Sequence, residues 1–417
     1  MTHTHCTTPT TRTRPRRTRR IALLAPPWIP VPPPAYGGIE SVVGLLCEEL
    51  VRRGHDVTLF AAPGSGSSAT VHSPLADAHP DTIGSALHES DHVVSVWEEI
   101  ARLEREGRPF DVLHDHSGFT ALAFAGAVSA PVVHTLHGPF TAETGSFYAR
   151  HGHKAHLVAI SNHQRAHAPS GVNVSAVVPN PVVVEDWPLR MHKGDYLLWL
   201  GRMDPIKGAH RAIDAARRSG QRLVLAGPVQ TGQHEFFVRE IEPHLDGDMV
   251  TYVGEVGGRA RTELFADAKA LLMPIRWPEP FGMVMVEALA CGTPVITFPE
   301  GAASEIVIDG ETGFHVRDEE HMAQAVQRVT ELDPVRCRES VAERFDVGVV
   351  ASGYEAVYES AIAAGAPSWR RLAGHVRTTA NRPAGVPGQG RHAGALSRAD
   401  RLIAHAQSRA SSATGWA

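Results

Sequence analysis

The sequence predicts an α/β chain of two Rossmann-like domains facing one another, and three observations carry that expectation. From Arg20 onward, short β-branched or Leu-rich runs alternate with longer amphipathic ones, the pattern of parallel strands joined by helices. The alternation comes in two similar series, divided after Asn180-Pro181. With 417 residues, 43% of them hydrophobic and 20% charged, the chain has the length for two full cores and the composition of a globular protein.

The first series reads as a domain over 20–183. Its strand candidates are 21–25, 57–61, 112–116, 132–137, 157–161 and 176–180, and helices at 39–53 and 90–106 are closed by Gly54 and Gly107. The second series fills 184–345, with strands expected at 196–201, 222–227, 250–254, 270–275 and 294–298. At the join, 181–195 has two prolines and no clear period and reads as a linker. Over 346–364, Val349, Val350, Gly353, Tyr354, Val357, Tyr358 and Ile362 recur at helical spacing with apolar or aromatic residues along one side. The flanks, 1–19 and 365–417, read as disordered basic tails, within which 393–409 could form a short basic helix.

Charge narrows the choice of partners. Residues 1–20 hold six Arg and no acid, and 366–417 hold eight Arg and only Asp400, which leaves 26 basic and 44 acidic residues in 21–365. So acidic a body repels a phosphate backbone, which argues against a nucleic-acid partner; the tails alone offer weak contact with an anionic membrane surface. Cys6, Cys47, Cys291 and Cys337 lie far apart without CxxC spacing, so neither a disulfide framework nor a zinc site is indicated, and a cytoplasmic location is expected. The basic stretch before 21–25 is shaped like the start of an export signal, but Pro26, Pro27 and Pro30 break the apolar run that follows. No apolar run approaches the ~20 residues of a membrane span.

Residues with chemistry cluster where strands end. Gly37 and Gly38 follow the first strand and open the first helix, where bare backbone amides could meet a phosphate; a turn that simply needs glycine is the other reading. Their spacing is neither GxGxxG nor that of a P-loop. Arg202 and Lys207 share a strand-to-helix loop and suit two phosphate groups, the Arg by its planar fork and the Lys as a point charge. In "RWPEPFGMVMVEALACGTPVI", 276–296, Pro278, Pro280 and Gly282 delay any helix until about Met283. Glu279 is then left in a loop at a strand's C-terminal edge, with the amides of Gly282, Met283 and Val284 pointing out of the helix tip. Glu287 rises one turn in on the same face. A loop acid, a fan of amides and a second acid fit a sugar, a phosphate and a ribose, since carboxylates accept strong hydrogen bonds from vicinal hydroxyls.

"PEPFGMVMVEALACGTPVI" followed by "EGAASEIVIDGETGFHV" resembles the signature region of the family-four retaining glycosyltransferases, and the likeness runs from about residue 20 to 364. The resemblance implies the GT-B arrangement, two Rossmann-like domains facing across a cleft, with 346–364 crossing back onto the first. Carried over position by position, it implies that Glu279 holds donor-sugar hydroxyls while Phe281, Gly282, Met283 and Val284 offer amides to sugar and diphosphate. Glu287 is implied as the ribose ligand, Arg202 and Lys207 as the diphosphate grip, and Gly37 with Gly38 as the glycine loop facing it. His137 is similar to the family histidine beside the transferred sugar and the acceptor. Asp115 and His116, at another strand end, are expected to line the acceptor cleft. His134 is expected on the opposite face of its strand as a structural residue. A metal at His114 and His116, or at Asp246 and Asp248, is the weaker reading of both pairs.

The implied activity needs no metal and no cofactor, the nucleotide sugar being a substrate. A hexosyl group would pass from a nucleotide diphosphate sugar, UDP-glucose or a close relative, to a hydroxyl on a small-molecule or glycan acceptor, with retention. Ile206 departs from the acidic or polar residue usual before the Lys. The Pro-rich 26–40 and "HTLHGP" are similar to a branch that includes pteridine glucosyltransferases, many members of which have no assigned substrate, so the acceptor stays open. A GT-B sugar phosphorylase and a non-catalytic nucleotide-sugar-binding protein are the alternatives.

Overall fold

The computed structural model of the chain describes residues 17–34 and 37–365; the expected basic helix at 393–409, Cys6 and the tails beyond these limits lie outside the described residues. Seven strands form a first sheet: β1 (Arg20–Leu24), β2 (Asp56–Phe60), β3 (Thr70–His72), β4 (Val112–Asp115), β5 (Val132–Leu136), β6 (His156–Ala159) and β7 (Val174–Val177). Six form a second: β8 (Tyr196–Leu200), β9 (Arg222–Ala226), β10 (Val250–Tyr252), β11 (Ala270–Met273), β12 (Val295–Thr297) and β13 (Gly313–His315). Every pairing in both is parallel. Central strands such as β4, β5 and β11 are buried at every residue, because helices cover both faces of a parallel sheet. Hence the near-continuous apolar runs that mark them in the sequence. β3 and β13 carry only three residues each at sheet edges, too few to give such a run.

The order β3-β2-β1-β4-β5-β6-β7 reverses direction between β1 and β4, and β10-β9-β8-β11-β12-β13 reverses between β8 and β11. At such a point the loops leaving the strand C-termini diverge and open a crevice. Gly37 and Gly38 follow β1, His137 follows β5, Arg202 and Lys207 follow β8, and Glu279 follows β11. Topology therefore sends the residues after β1, β8 and β11 to the two crevices and His137, after β5, to the end of the strand next to the first crevice.

The last helix, Val347–Ala364, begins at Asp346, whose side chain accepts the amide of Gly348 at 3.2 Å. Its Val350, Tyr354, Val357, Tyr358 and Ala361 pack with Leu46, Leu50 and Val133 in the core of the first domain. The helix thus crosses back, and its polar groups arrive paired. The Tyr358 hydroxyl lies 2.7 Å from His114 Nδ1, His114 Nε2 lies 2.8 Å from Thr135 Oγ1, and Thr135 Oγ1 lies 3.0 Å from the Tyr354 hydroxyl. A core this closed tolerates polar atoms only when they bond one another. His114, committed at both nitrogens, is held structurally.

The stretch read as a linker is packed. Val182 and Val184 are buried, and the Val182 amide and carbonyl bond Phe345 and Val347 at 2.9 and 2.8 Å, so the two crossings between domains run side by side. One boundary needs correction: Arg19, assigned by sequence to a disordered tail, is buried. Its guanidinium donates to both carboxylate oxygens of Glu359 at 2.8 and 2.6 Å, and that pairing extends order past the start of β1. Cys47, Cys291 and Cys337 are free and buried, which pushes their thiols up to about 11, 12 and 12. Among the described residues, no helix is long and apolar enough to cross a membrane.

Candidate active site

Lys207 stands on a loop locked by two short-range bonds. Trp199 Nε1 donates to the Lys207 carbonyl at 3.2 Å, and Asp204 accepts the Ile206 amide at 3.0 Å. From there the Lys207 ammonium pairs with Glu279 Oε2 and lies 5.4 Å from the centre of the Trp277 ring. Trp277 Nε1 donates to the same Glu279 oxygen at 2.6 Å. A cation and an indole N–H therefore aim one carboxylate. The Glu279 backbone is fixed as well, its carbonyl accepting the Ala302 amide at 2.9 Å. Gly301 passes so close beneath, at φ +61°, that a Cβ there would overlap the Glu279 backbone. Only glycine fits.

The helix after this loop, Met283–Ala290, starts from Gly282 at φ +100°, a left-handed conformation that glycine adopts at no steric cost. No side chain caps it, so its first amides face outward with the positive end of the helix dipole. One turn in, Glu287 is buried and accepts from Arg261 Nη2 at 2.5 Å. The Arg202 guanidinium meets only the Gln230 amide oxygen, at 3.3 Å, with no acid in ion-pair range among the described residues. It is a cation free to take an anion.

These groups border one cavity of about 760 Å³. Gly37, Gly38 and His137 come to its wall from the first domain; Arg202, Lys207, Glu279, Phe281, Gly282, Met283, Val284 and Glu287 come from the second. Asp115 and His116 do not reach it, which corrects the expectation that they line the acceptor cleft. Asp115 is wholly buried: Oδ1 accepts from the Ser117 amide and hydroxyl at 2.8 and 2.5 Å, and Oδ2 lies 2.5 Å from His134 Nδ1. His116 Nδ1 lies 2.8 Å from His137 Nε2, so His116 sits behind His137 and not beside it. Asp115 ends the central strand β4 and His116 follows it, with the crossover helix packed on that strand and His137, after β5, laid against His116. His134 is structural, bonded to Asp115 and to the Tyr148 hydroxyl at 3.1 Å.

Burial is the main reason the His137 imidazole is pushed down to about 3, with repulsion from His134 adding and attraction from Asp115 opposing. His137 is therefore neutral near pH 7. Burial likewise holds His114 and His116 well below the usual histidine range. Asp246 accepts the amides of Asp248 and Val250 at 3.0 Å each, shaping the turn before β10. Among the described residues, no group of three or more His, Cys, Asp or Glu is arranged to hold a metal ion.

Three wall or support residues escaped the sequence reading. Trp277 was within reach, since an indole donor two positions before Glu279 is a local signal. Arg261 lies 26 residues from Glu287, and nothing in the intervening sequence points to the pair. Asn180, at the domain break, is buried in the cavity wall with Oδ1 lacking a protein partner. The whole arrangement offers cations and amides to an anion on one side and a neutral imidazole on the other.

The family model described as Glycosyl transferases group 1 matches residues 187–344, and that described as Glycosyltransferase Family 4 matches 36–186. A glycogen synthase of Mycobacterium tuberculosis is 27% identical over 388 residues, covering 79% of this chain and 92% of that protein. A D-inositol 3-phosphate glycosyltransferase of Pseudarthrobacter chlorophenolicus is 27% identical over 367 residues, covering 73% of this chain and 84% of that protein. A solved structure, AviGT4, a glycosyltransferase involved in avilamycin A biosynthesis, is similar at 26% identity with a TM-score of 0.59, over 83% of this chain and 98% of that one.

Proposed function

The chain belongs to the family-4 glycosyltransferases of GT-B fold, and from that premise we propose that it moves a hexosyl group from a nucleotide diphosphate sugar to a hydroxyl acceptor with retention at the anomeric carbon. One observation carries the reading: Arg202, Lys207 and the uncapped helix tip at Gly282 converge on a single cavity that His137 enters from the opposite domain. Two cations and outward amides around one cleft suit a diphosphate whose charge grows as it leaves, the electrostatic form of catalysis. Glu279, aimed by Lys207 and Trp277, would hold hydroxyls of the sugar, and Glu287 those of the ribose. UDP-glucose is the donor we favour.

In this mechanism the bond from the anomeric carbon to the phosphate oxygen breaks as the acceptor oxygen bonds that carbon on the same face. The acceptor's proton passes to the departing phosphate, so the protein supplies positioning and charge and no nucleophile. Such a reaction is tested by first scanning nucleotide sugars for the one that raises the melting temperature, since a tight donor stabilises the native state. Transfer of radiolabelled sugar from that donor to an acceptor library, or to water, is then expected in the native protein. Glu279→Ala should lower it by about a hundredfold or more with the melting temperature little changed. Undiminished turnover in this variant would remove Glu279 from the site, and failure of every nucleotide sugar to bind would remove the function.

A further inference from the structure

The pair formed by His116 and His137 has one N–H between two ring nitrogens, and the surroundings decide which ring owns it. Both rings are neutral near pH 7, because burial keeps each from taking a second proton. Each then carries a single N–H. Across the 2.8 Å contact from His116 Nδ1 to His137 Nε2, one ring donates and the other accepts.

Were His137 the donor, the proton of His116 would sit on Nε2. That atom is buried and has no partner among the described residues, in a ring that is 2% exposed and packed 4.1 Å from the His114 ring. An orphaned buried N–H is rarer in native proteins than an under-used acceptor. With His116 as donor the difficulty disappears: its Nε2 keeps a lone pair and no hydrogen. His137 Nε2 is then an acceptor, its proton lies on Nδ1, and Nδ1 is the nitrogen with no hydrogen-bond partner among the described residues, on a residue of the cavity wall.

We propose that His116 is a positioning residue that fixes His137 as an Nδ1–H donor toward the cavity. The backbone makes this rigid, for the His116 amide bonds the Leu24 carbonyl of β1 at 2.9 Å. His137 then enters the reaction as a hydrogen-bond donor to a substrate oxygen, and its lone pair is engaged by His116 so that it is not a base for the acceptor's proton. This part rests on the glycosyl-transfer reading above, in which the leaving phosphate takes that proton. Indirect orientation of an imidazole through its other nitrogen is the general device by which a neighbour sets a tautomer.

The tautomer is readable without any substrate. Uniformly ¹⁵N-labelled protein at pH 7 is examined by long-range ¹H–¹⁵N correlation of the histidine rings, with His137→Asn to assign the signals. Nδ1 of His137 should show the shift of a protonated nitrogen and Nε2 that of an unprotonated one. The reverse pattern in the native protein overturns the proposal whether or not transfer has been detected. In His116→Phe the His137 ring is expected to average between tautomers, with kcat down about tenfold and the donor's dissociation constant unchanged, the range typical of lost orienting contacts. His116→Asn, whose amide can stand where Nδ1 stands, should return kcat to within about twofold, a split that loss of packing would not produce. If His116→Phe fails to fold, the native spectrum and the Asn variant still decide the matter; a fully active Phe variant would overturn the role.

Discussion

The second domain brings to the cavity two charge pairs, Lys207 with Glu279 and Arg261 with Glu287, and Arg202 with no acid beside it among the described residues, while the first domain brings the Glu48 carboxylate and His137, the latter backed by His116 and His114 in neutral form. Both arrangements are largely buried, yet they answer burial differently. A buried charge needs a counter-charge or it is too costly to keep, whereas an imidazole can drop its proton and remain as a hydrogen-bonding ring. The cations of the second domain are thereby suited to an anionic part of a ligand, and the neutral His137 ring can touch a reacting hydroxyl without competing for charge. Division of labour between the domains follows from how each pays for burial.

Acid should break this contrast most visibly. The unfolded chain protonates His92, His114, His116 and His137 below the ordinary ~6.5, whereas the folded protein resists, down to about 4 at His92 and about 3 at His137. Within that window the unfolded state binds more protons, so the stability these rings contribute is complete above ~6.5 and is lost as pH falls, at up to about 1.4 kcal/mol per pH unit for each ring. Carboxylates such as Asp318, held at about 2 by the His321 amide, release their share only below their ordinary ~3.9. A urea midpoint that falls several-tenths molar or more between pH 6.5 and 4.5 would place the sensitivity in the histidines; a flat midpoint would mean the rings are charged in the folded state.

Trp277→Phe sharpens the charged side. It keeps the ring against Lys207 and removes only the N–H that meets Glu279 at 2.6 Å. Hydrogen bonds to charged groups contribute about 1.5–3 kcal/mol, so kcat/KM for the donor should fall at least tenfold with the fold intact. An unchanged kcat/KM would show that Lys207 alone aims the carboxylate. The smallest effect is expected at Tyr358→Phe, which leaves His114 Nδ1 without its 2.7 Å partner and should cost about 1–3 kcal/mol in a denaturation curve. Donor affinity should not change, because the residue serves only the neutral side.

The same contrast explains what could be read in advance. Glu279, Gly282 and Glu287 lie within nine consecutive residues, so a loop, a helix tip and one helical turn could be built from local spacing alone. Lys207 and Arg202 were legible as a strand-to-helix loop. The histidine network was not, because it is assembled from β4, β5 and a helix more than 200 residues away. Strand-end position correctly brought Asp115 and His116 to the right edge of the sheet; what it could not supply was the layer laid over that edge, which turns an expected cleft residue into the support of His137. The crossover seam itself was visible as a helical stripe at Val350, Tyr354, Val357 and Tyr358, although Val349, read with them, is exposed; the partners of the two tyrosine hydroxyls were not visible.

The bidentate grip of Arg19 on Glu359 has a topological corollary. It holds the residue before the first strand beside the final turns of the last helix, so the first and last of the described elements meet at one spot. A short Gly-Ser tether could join those points and new ends could be cut at an exposed loop elsewhere, since neighbouring ends are what make circular permutation tolerable. Such a rewired chain would let the two crossings between domains be severed one at a time, separating the contribution of each strap to catalysis.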